Sequence, residues 1–530
     1  MSRSQDVDWV VIGSGFGGSV AALRLAEKGY SVTVLEQGRR FADEDFAKNA
    51  SNVRRFMWAP RLGMKGIMAL TPFKHVTVLS GVGVGGGSLV YGNTLYVPRS
   101  DDFYQHEQWA GLADWRSVLA PHYVTAERML GVVPFQGDTP SDALMGKIAG
   151  DLGVDPPHPT QVGVFFGMPG KRVPDPYFDG RGPERTGCTR CGQCMLGCRV
   201  GAKNTLTKNY LWLAEHHGAD VRAERTVVDI WPVGAADGSD GYDVTTVRSG
   251  AWVRRDVRTI RAKGVVVAAG ALGTNLLLRK VKDAGSLPAV SERLGHLVRT
   301  NSEAIVAVTG EKSADLRSDI AITSSIHPDE QTHFTNNTYG LAGDAMALTF
   351  GPLTSGNSRS GRIIGLLVAM LRRPLRWLSP GRVVGWSKRS VVFTIMQSTE
   401  SSIRIRPKRP GGRVNSELGD GPAPLSKLPI ADRIVASAVK HTGGYAQAGV
   451  TEAVRGTPTT AHILGGAVIA DSPERGVVDR RRQVFGYRNL LITDGSTVPA
   501  NVGVNPSLTI TAMAEEAMTF VPSKIESEQR

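Results

Sequence analysis

The chain has 530 residues, 41% of them hydrophobic and 62 of them glycine, which is enough apolar material for two buried cores and excludes a low-complexity or repetitive protein. Its net charge of +13 comes without the interleaved aromatics or motifs of a nucleic-acid reader, so nucleic acid is set aside and an anionic membrane surface is the expected counterpart. No uncharged run reaches the roughly 18 residues of a spanning helix, and the first apolar run leads straight into a folded motif, so the expectation is a cytoplasmic protein with at most peripheral membrane contact and no signal peptide or transmembrane helix.

Residues 7–12 form a short apolar run that ends in Gly13-Ser14-Gly15-Phe16-Gly17-Gly18, after which Ala21, Ala22, Leu23, Leu25 and Ala26 recur at helical spacing. That pattern predicts strand, tight turn and helix. Gly13 lets the chain turn, Gly15 lets a pyrophosphate approach the backbone, and Gly18 lets the helix pack on the strand, with the helix N-terminus facing the anion. A second strand over residues 31–35 ends at Glu36, where a carboxylate can accept hydrogen bonds from a ribose diol. The motif serves NAD and FAD alike.

Residues 80–93 read SGVGVGGGSLVYGN, too long for a turn, and predict backbone contact with a ligand. All four cysteines then fall in one run as Cys188, Cys191, Cys194 and Cys198. The spacing suits the four thiolates of an iron-sulfur cluster; a zinc knot and buried free thiols are the alternatives, and disulfides do not suit a cytoplasmic chain. From Gly264 the chain reads GVVVAAGALGTNLLL, a buried strand, a glycine break and a helix start. The stretch 362–378 joins apolar residues to arginine and tryptophan, and no Asp or Glu occurs from residue 345 to 399, so it reads either as an interfacial helix or as a buried helix with a basic end. Near the C-terminus lie TTAHILGG, with His462, and NLLITDGSTVPANVGVNPS, with Asp494 and Asn505.

Together these segments resemble the glucose-methanol-choline (GMC) oxidoreductase family across almost the whole chain. GSGFGGSVAALRLAEKGY, RTGC, GAKNTLTKNY, AITSSIHP and LGGAVI are similar to its actinobacterial cholesterol oxidase branch. The resemblance implies an α/β fold: a Rossmann-like FAD-binding domain over 1–100, 184–310 and 456–525, with an inserted α+β substrate domain, an antiparallel sheet covered by helices, over 101–183 and 311–455. It implies that Gly13, Gly15, Phe16, Gly18 and Glu36 hold the ADP half of FAD. Gly85, Gly86, Ser88, Gly92 and Asn93 would run along pyrophosphate and isoalloxazine, Val228 would offer backbone to the adenine, and Asp494 and Gly495 would complete the cradle.

Taking a hydride from an alcohol carbon needs one group to accept the hydroxyl proton and another to fix the oxygen. His462 and Asn505 match the family's active-site pair. The implied reaction is oxidation of a hydrophobic secondary alcohol, cholesterol or a related 3β-hydroxysterol first among them, with oxygen or an electron carrier as acceptor. Steroid oxidases of the family often add a carboxylate that moves a double bond; here that region reads Thr332-His333-Phe334-Thr335-Asn336-Asn337, with Asp329 and Glu330 out of register. Two rivals stand beside this reading: a dehydrogenase of long-chain or terpenoid alcohols that passes electrons through the cluster to a carrier, and a non-catalytic flavin and iron-sulfur electron-transfer protein.

Overall fold

The computed structural model describes residues 6–353, 359–377, 379–407, 414–419, 421–425 and 428–529. Strand β1 (Asp6–Ile12) sends Trp9, Val10, Val11 and Ile12 into the interior, so both of its faces are apolar, as a central parallel strand requires. The chain turns at Gly13 with φ +101°, where a Cβ would lie 2.2 Å from the Ala268 carbonyl oxygen. It then enters helix α1 (Phe16–Glu27) and returns as β2 (Val32–Leu35), parallel to β1.

The remaining strands of this first sheet are β3 (Asp220–Arg222), β4 (Arg225–Pro232), β5 (Tyr242–Arg248) and β6 (Arg258–Val267), in the order β3-β2-β1-β6-β5-β4. The long strand β6 serves two partners along one edge. Residues 258–262 pair antiparallel with β5, and 265–267 pair parallel with the late strand Leu490–Ile492. The glycine break expected after Gly264 is Gly270, which opens helix α4 (Gly270–Asp283). Helix α1 packs against α7 (Ser507–Thr519), and α7 against α2 (Trp115–Leu130), so the two ends of the chain share one core.

A second, wholly antiparallel sheet runs Phe350–Pro352, β10 (Tyr445–Gly449), β7 (Ala304–Thr309), β9 (Ser390–Gln397), β8 (Thr332–Asn337), Ser324–Ile326, His158–Pro159. Helices α3 (Pro140–Leu152) and α6 (Pro429–Thr442) cover one face, with Leu144, Ile148 and Ile434 packed on Val306, Phe334 and Phe393. Alternation along β8 therefore turns Phe334 toward the helices and His333 toward the other face. Strand β7 falls inside the 184–310 segment expected to bind the cofactor, yet it pairs with β9 and β10 in this second sheet. Glycine clusters mark phosphate-binding turns in a sequence, but the point where an apolar strand passes from one sheet to another carries no local signal.

Helix α5 (Arg359–Arg372) lies in the basic apolar strip and leaves Ile364, Leu367 and Leu371 exposed. Leu378, the last residue of that strip, lies outside the described residues. Among the described residues, no helix is long and apolar enough to cross a membrane.

Candidate active site

The first turn and Glu36 meet as the spacing requires. Buried Glu36 accepts hydrogen bonds from the Ser14 hydroxyl at 2.8 Å, from Ser14 N at 3.3 Å and from Gly38 N at 2.8 Å. Burial raises its pKa, and these donors pull it back. Gly18 is fixed by packing, since a Cβ there would stand 2.1 Å from the Gly13 carbonyl, whereas a Cβ on Gly15 would meet nothing closer than Gly86 Cα at 4.0 Å. Gly15 thus offers the open backbone that an approaching phosphate needs.

The second glycine loop crosses the first turn at Gly86, whose added Cβ would lie 2.6 Å from Gly15 Cα. Gly85, just before it, has φ +108°, and Phe16 packs edge-on against Tyr91. Asn93 is wholly buried with φ +71°, and neither side-chain atom has a protein partner. A buried amide left unpaired is costly, so these atoms fit a polar ligand lying along the loop. Other expected contacts are already taken up by protein. The Ser88 hydroxyl donates to Gly85 O and accepts from Leu206 N, and Gly92 is kept small by Ile322 of the second lobe. The Asp494 carboxylate binds Ser496 and Thr274, and Gly495 abuts Leu464, so what remains for a ligand there is backbone. Val228 sits at a bulge between Val227 and Asp229, on a strand whose first residue, Arg225, donates its N–H to Glu36 O. The bulge frees its peptide from the ladder beside the carboxylate.

His462 and Asn505 come together. Asn505 Nδ2 lies 3.2 Å from His462 Nε2, and the buried Asn505 Oδ1 has no protein partner. The segments that carry them are held by one stretch that the sequence did not single out, residues 299–303. The Glu303 carboxylate, 1% exposed, places Oε2 at 3.1 Å from His462 Nδ1, at ion-pair distance but off the line of a formed hydrogen bond. The same oxygen accepts from Thr460 Oγ1 and from Ala461 N, both at 2.9 Å, which anchors the segment that carries His462. Two residues earlier, Asn301 accepts from Gly503 N at 2.9 Å and donates to Val504 O at 2.9 Å, which fixes the loop that ends in Asn505. Asn301 and Ser302 hold positive φ, a strain these contacts must offset.

With its Nδ1 side against a carboxylate, His462 presents Nε2 toward the amide, as a base that takes a hydroxyl proton should. Such contacts often tighten only when the reactants bind. Glu303→Gln is therefore expected to lower kcat about 10–100-fold with little change in KM, a drop that stopped-flow measurement of flavin reduction would detect.

Where a double-bond-shifting carboxylate would be expected, β8 presents His333 instead. The four cysteines line one cleft away from His462 and are free thiols.

Comparison with known proteins gives the family. Residues 181–294 and 424–514 match models described as GMC oxidoreductase, and residues 8–153 match a model of FAD dependent oxidoreductases. The chain is 47% identical to a cholesterol oxidase of Mycobacterium tuberculosis, over 99% of this chain and 93% of that one, and 44% identical to a cholesterol oxidase of Acinetobacter baumannii, over 98% and 95%. Among solved structures, formate oxidase of Aspergillus oryzae shares the fold at a TM-score of 0.63, with 12% identity and full coverage of both chains. With near-full-length identity of this degree, the chain belongs to the GMC oxidoreductases, as an FAD-dependent enzyme that oxidises alcohols.

Proposed function

We propose that the alcohol is a 3β-hydroxysterol, cholesterol or a close relative, oxidised to the ketone. The observation that carries this reading is the His462–Asn505 pair, 3.2 Å apart, in a chain 44–47% identical over nearly its whole length to proteins called cholesterol oxidases. Bound FAD supplies the hydride acceptor. Backbone at Gly13, Gly15 and Gly18 and the Glu36 carboxylate would hold its ADP half, with Val228 beside the adenine. Gly85, Gly86 and Asn93 would hold the rest, on a floor shaped by Asp494 and Gly495.

The chain's own work is then plain. Asn505 Nδ2 donates to the substrate oxygen, His462 Nε2 removes its proton, and Glu303 stabilises the imidazolium that forms. Strand β8 carries no carboxylate where a double-bond shift would need one, so the first product expected is the unconjugated ketone. The exposed Ile364, Leu367 and Leu371 beside Arg372 and Arg373 suit entry from an anionic lipid surface. Leu367→Asp with Leu371→Asp is expected to lower turnover of sterol in anionic vesicles about tenfold and to leave detergent-dispersed sterol unaffected, as a vesicle sedimentation and activity assay would show.

The deciding experiment is anaerobic mixing of the purified holoenzyme with cholesterol and, separately, with a long-chain primary alcohol. Bleaching of the flavin bands by sterol alone supports the reading. Bleaching by the long-chain alcohol alone replaces it with the dehydrogenase reading, for which a 25% identical long-chain-alcohol oxidase of Arabidopsis thaliana is a precedent.

A further inference from the structure

One group of cysteines lies apart from the His462–Asn505 pair. Cys188, Cys191, Cys194 and Cys198 line a single cleft of about 320 Å³, its open mouth included, together with Lys203. Cys188 and Cys194 are buried and Cys191 is exposed at the surface. The run is folded around the cleft by glycine turns. Gly192 has φ +70°, with only 3.0 Å between an added Cβ and Ser318 O or Gly340 Cα, and Gly197 has φ +95° with Phe46 against it. The Arg190 amide points at the Cys188 sulfur, 3.4 Å away, the N–H to S contact that tunes iron-sulfur centres.

Two further observations say what the cleft suits. All four thiols line the same cleft and come from one run of eleven residues, spaced two, two and three residues apart, the ligand spacing of an iron-sulfur cluster. The Lys203 ammonium is 1% exposed, and its three donor contacts are all carbonyls: Cys194 O at 3.0 Å, Leu89 O at 3.0 Å and Tyr91 O at 2.9 Å. A buried cation needs negative charge nearby, and a cluster held by four thiolates supplies it. Leu89 and Tyr91 belong to the second glycine loop, so this one side chain spans from the cysteine run to the strip expected to lie along the flavin.

We propose that the four cysteines bind one iron-sulfur cluster, which carries electrons from the reduced flavin to a one-electron carrier protein docking at the Cys191 face. This rests on the reading of residues 85–93 as the flavin loop. Each alcohol delivers two electrons to the flavin. They leave singly, with the cluster reduced and reoxidised twice and two carrier molecules reduced, while the protons pass to solvent.

The test is to purify the full chain anaerobically, reconstitute it with ferrous iron and sulfide, and measure iron, acid-labile sulfide, zinc and FAD, then record electron paramagnetic resonance after dithionite and after sterol. About four irons and four sulfides per FAD are expected, with a cluster signal from either reductant. Cys191→Ser, at an exposed position, and Cys194→Ser should each lose most of the iron and the signal while keeping FAD. Absence of iron, or zinc in its place, overturns the site. A signal from dithionite but none from sterol that has bleached the flavin overturns the relay. A cluster signal with dithionite in a protein whose flavin sterol does not bleach supports the site and sinks the sterol reading instead.

Discussion

His462→Ala is expected to lower kcat/KM for the alcohol by about 10²–10⁴-fold while FAD content stays unchanged. In the proposed reaction Nε2, 3.2 Å from Asn505 Nδ2, takes the hydroxyl proton, and neither atom takes part in the glycine turns or the contacts around Glu36. Asn505→Ala is expected to cost about 10²–10³-fold, the usual size of a lost oxygen-fixing donor. The double variant should fall little below His462→Ala, because a base without a positioned substrate and a positioned substrate without a base fail alike. Anaerobic single-turnover reduction measures the step directly. Wild-type flavin reduction in His462→Ala would remove this residue from the chemistry.

Loss of stability in mild acid is the second large effect expected. His158, His327 and His333 stack face to face, with ring centroids 5.3 and 4.4 Å apart and planes within 14° of parallel. His158 Nε2, His327 Nε2 and His333 Nδ1 are buried without partners. Burial, and then the charges of Arg99 and His158, hold the His327 pKa at about 3; burial and its neighbours hold His333 well below the ordinary value, and burial lowers His158 as well. The folded pKa thus lies below the unfolded one, so between about pH 6.5 and 3 the unfolded chain binds protons that the folded chain refuses. The contribution of His327 is whole above about pH 6.5 and is lost as pH falls toward about 3, at up to roughly 1.4 kcal/mol per pH unit, and His333 acts in the same direction. Urea unfolding at about pH 7 and about pH 5 should show the fall, and His327→Gln should flatten it. Equal slopes in variant and parent would place the acid sensitivity elsewhere.

How far the sequence could be read depended on how local each signal was. Strand, glycine turn, helix and carboxylate all lie within residues 6–36, and their spacing alone described the turn that the structure contains. His462 and Asn505 needed the family resemblance, because a histidine after Thr-Thr-Ala and an asparagine before proline look ordinary by themselves. Glu303 and Asn301 were not legible at all. In sequence they belong to a short polar break between two apolar strands, and their meaning arises only when that break is brought against residues 460–462 and 503–504. The histidine stack is hidden in the same way, since its members come from two distant segments and His327 lies in a motif otherwise noted only for its similarity to the family. The sheet that β7 joins was hidden for a related reason: β7 is an apolar strand like those of the first sheet, and only its partners reveal where it belongs.

The closing of the first sheet by Leu490–Ile492 bears on how the enzyme is made. Strands β1 and β6 leave the ribosome long before the strand that must lie beside β6, and α7, which buries α1, follows later still. Until almost the whole chain has been synthesised, the edge of β6 at residues 265–267 and the apolar side of α1 lack their native cover, and unpaired edges and bare apolar faces invite aggregation. A truncation that removes residues 491–530 would therefore strip the cover from both β6 and α1, along with Asn505.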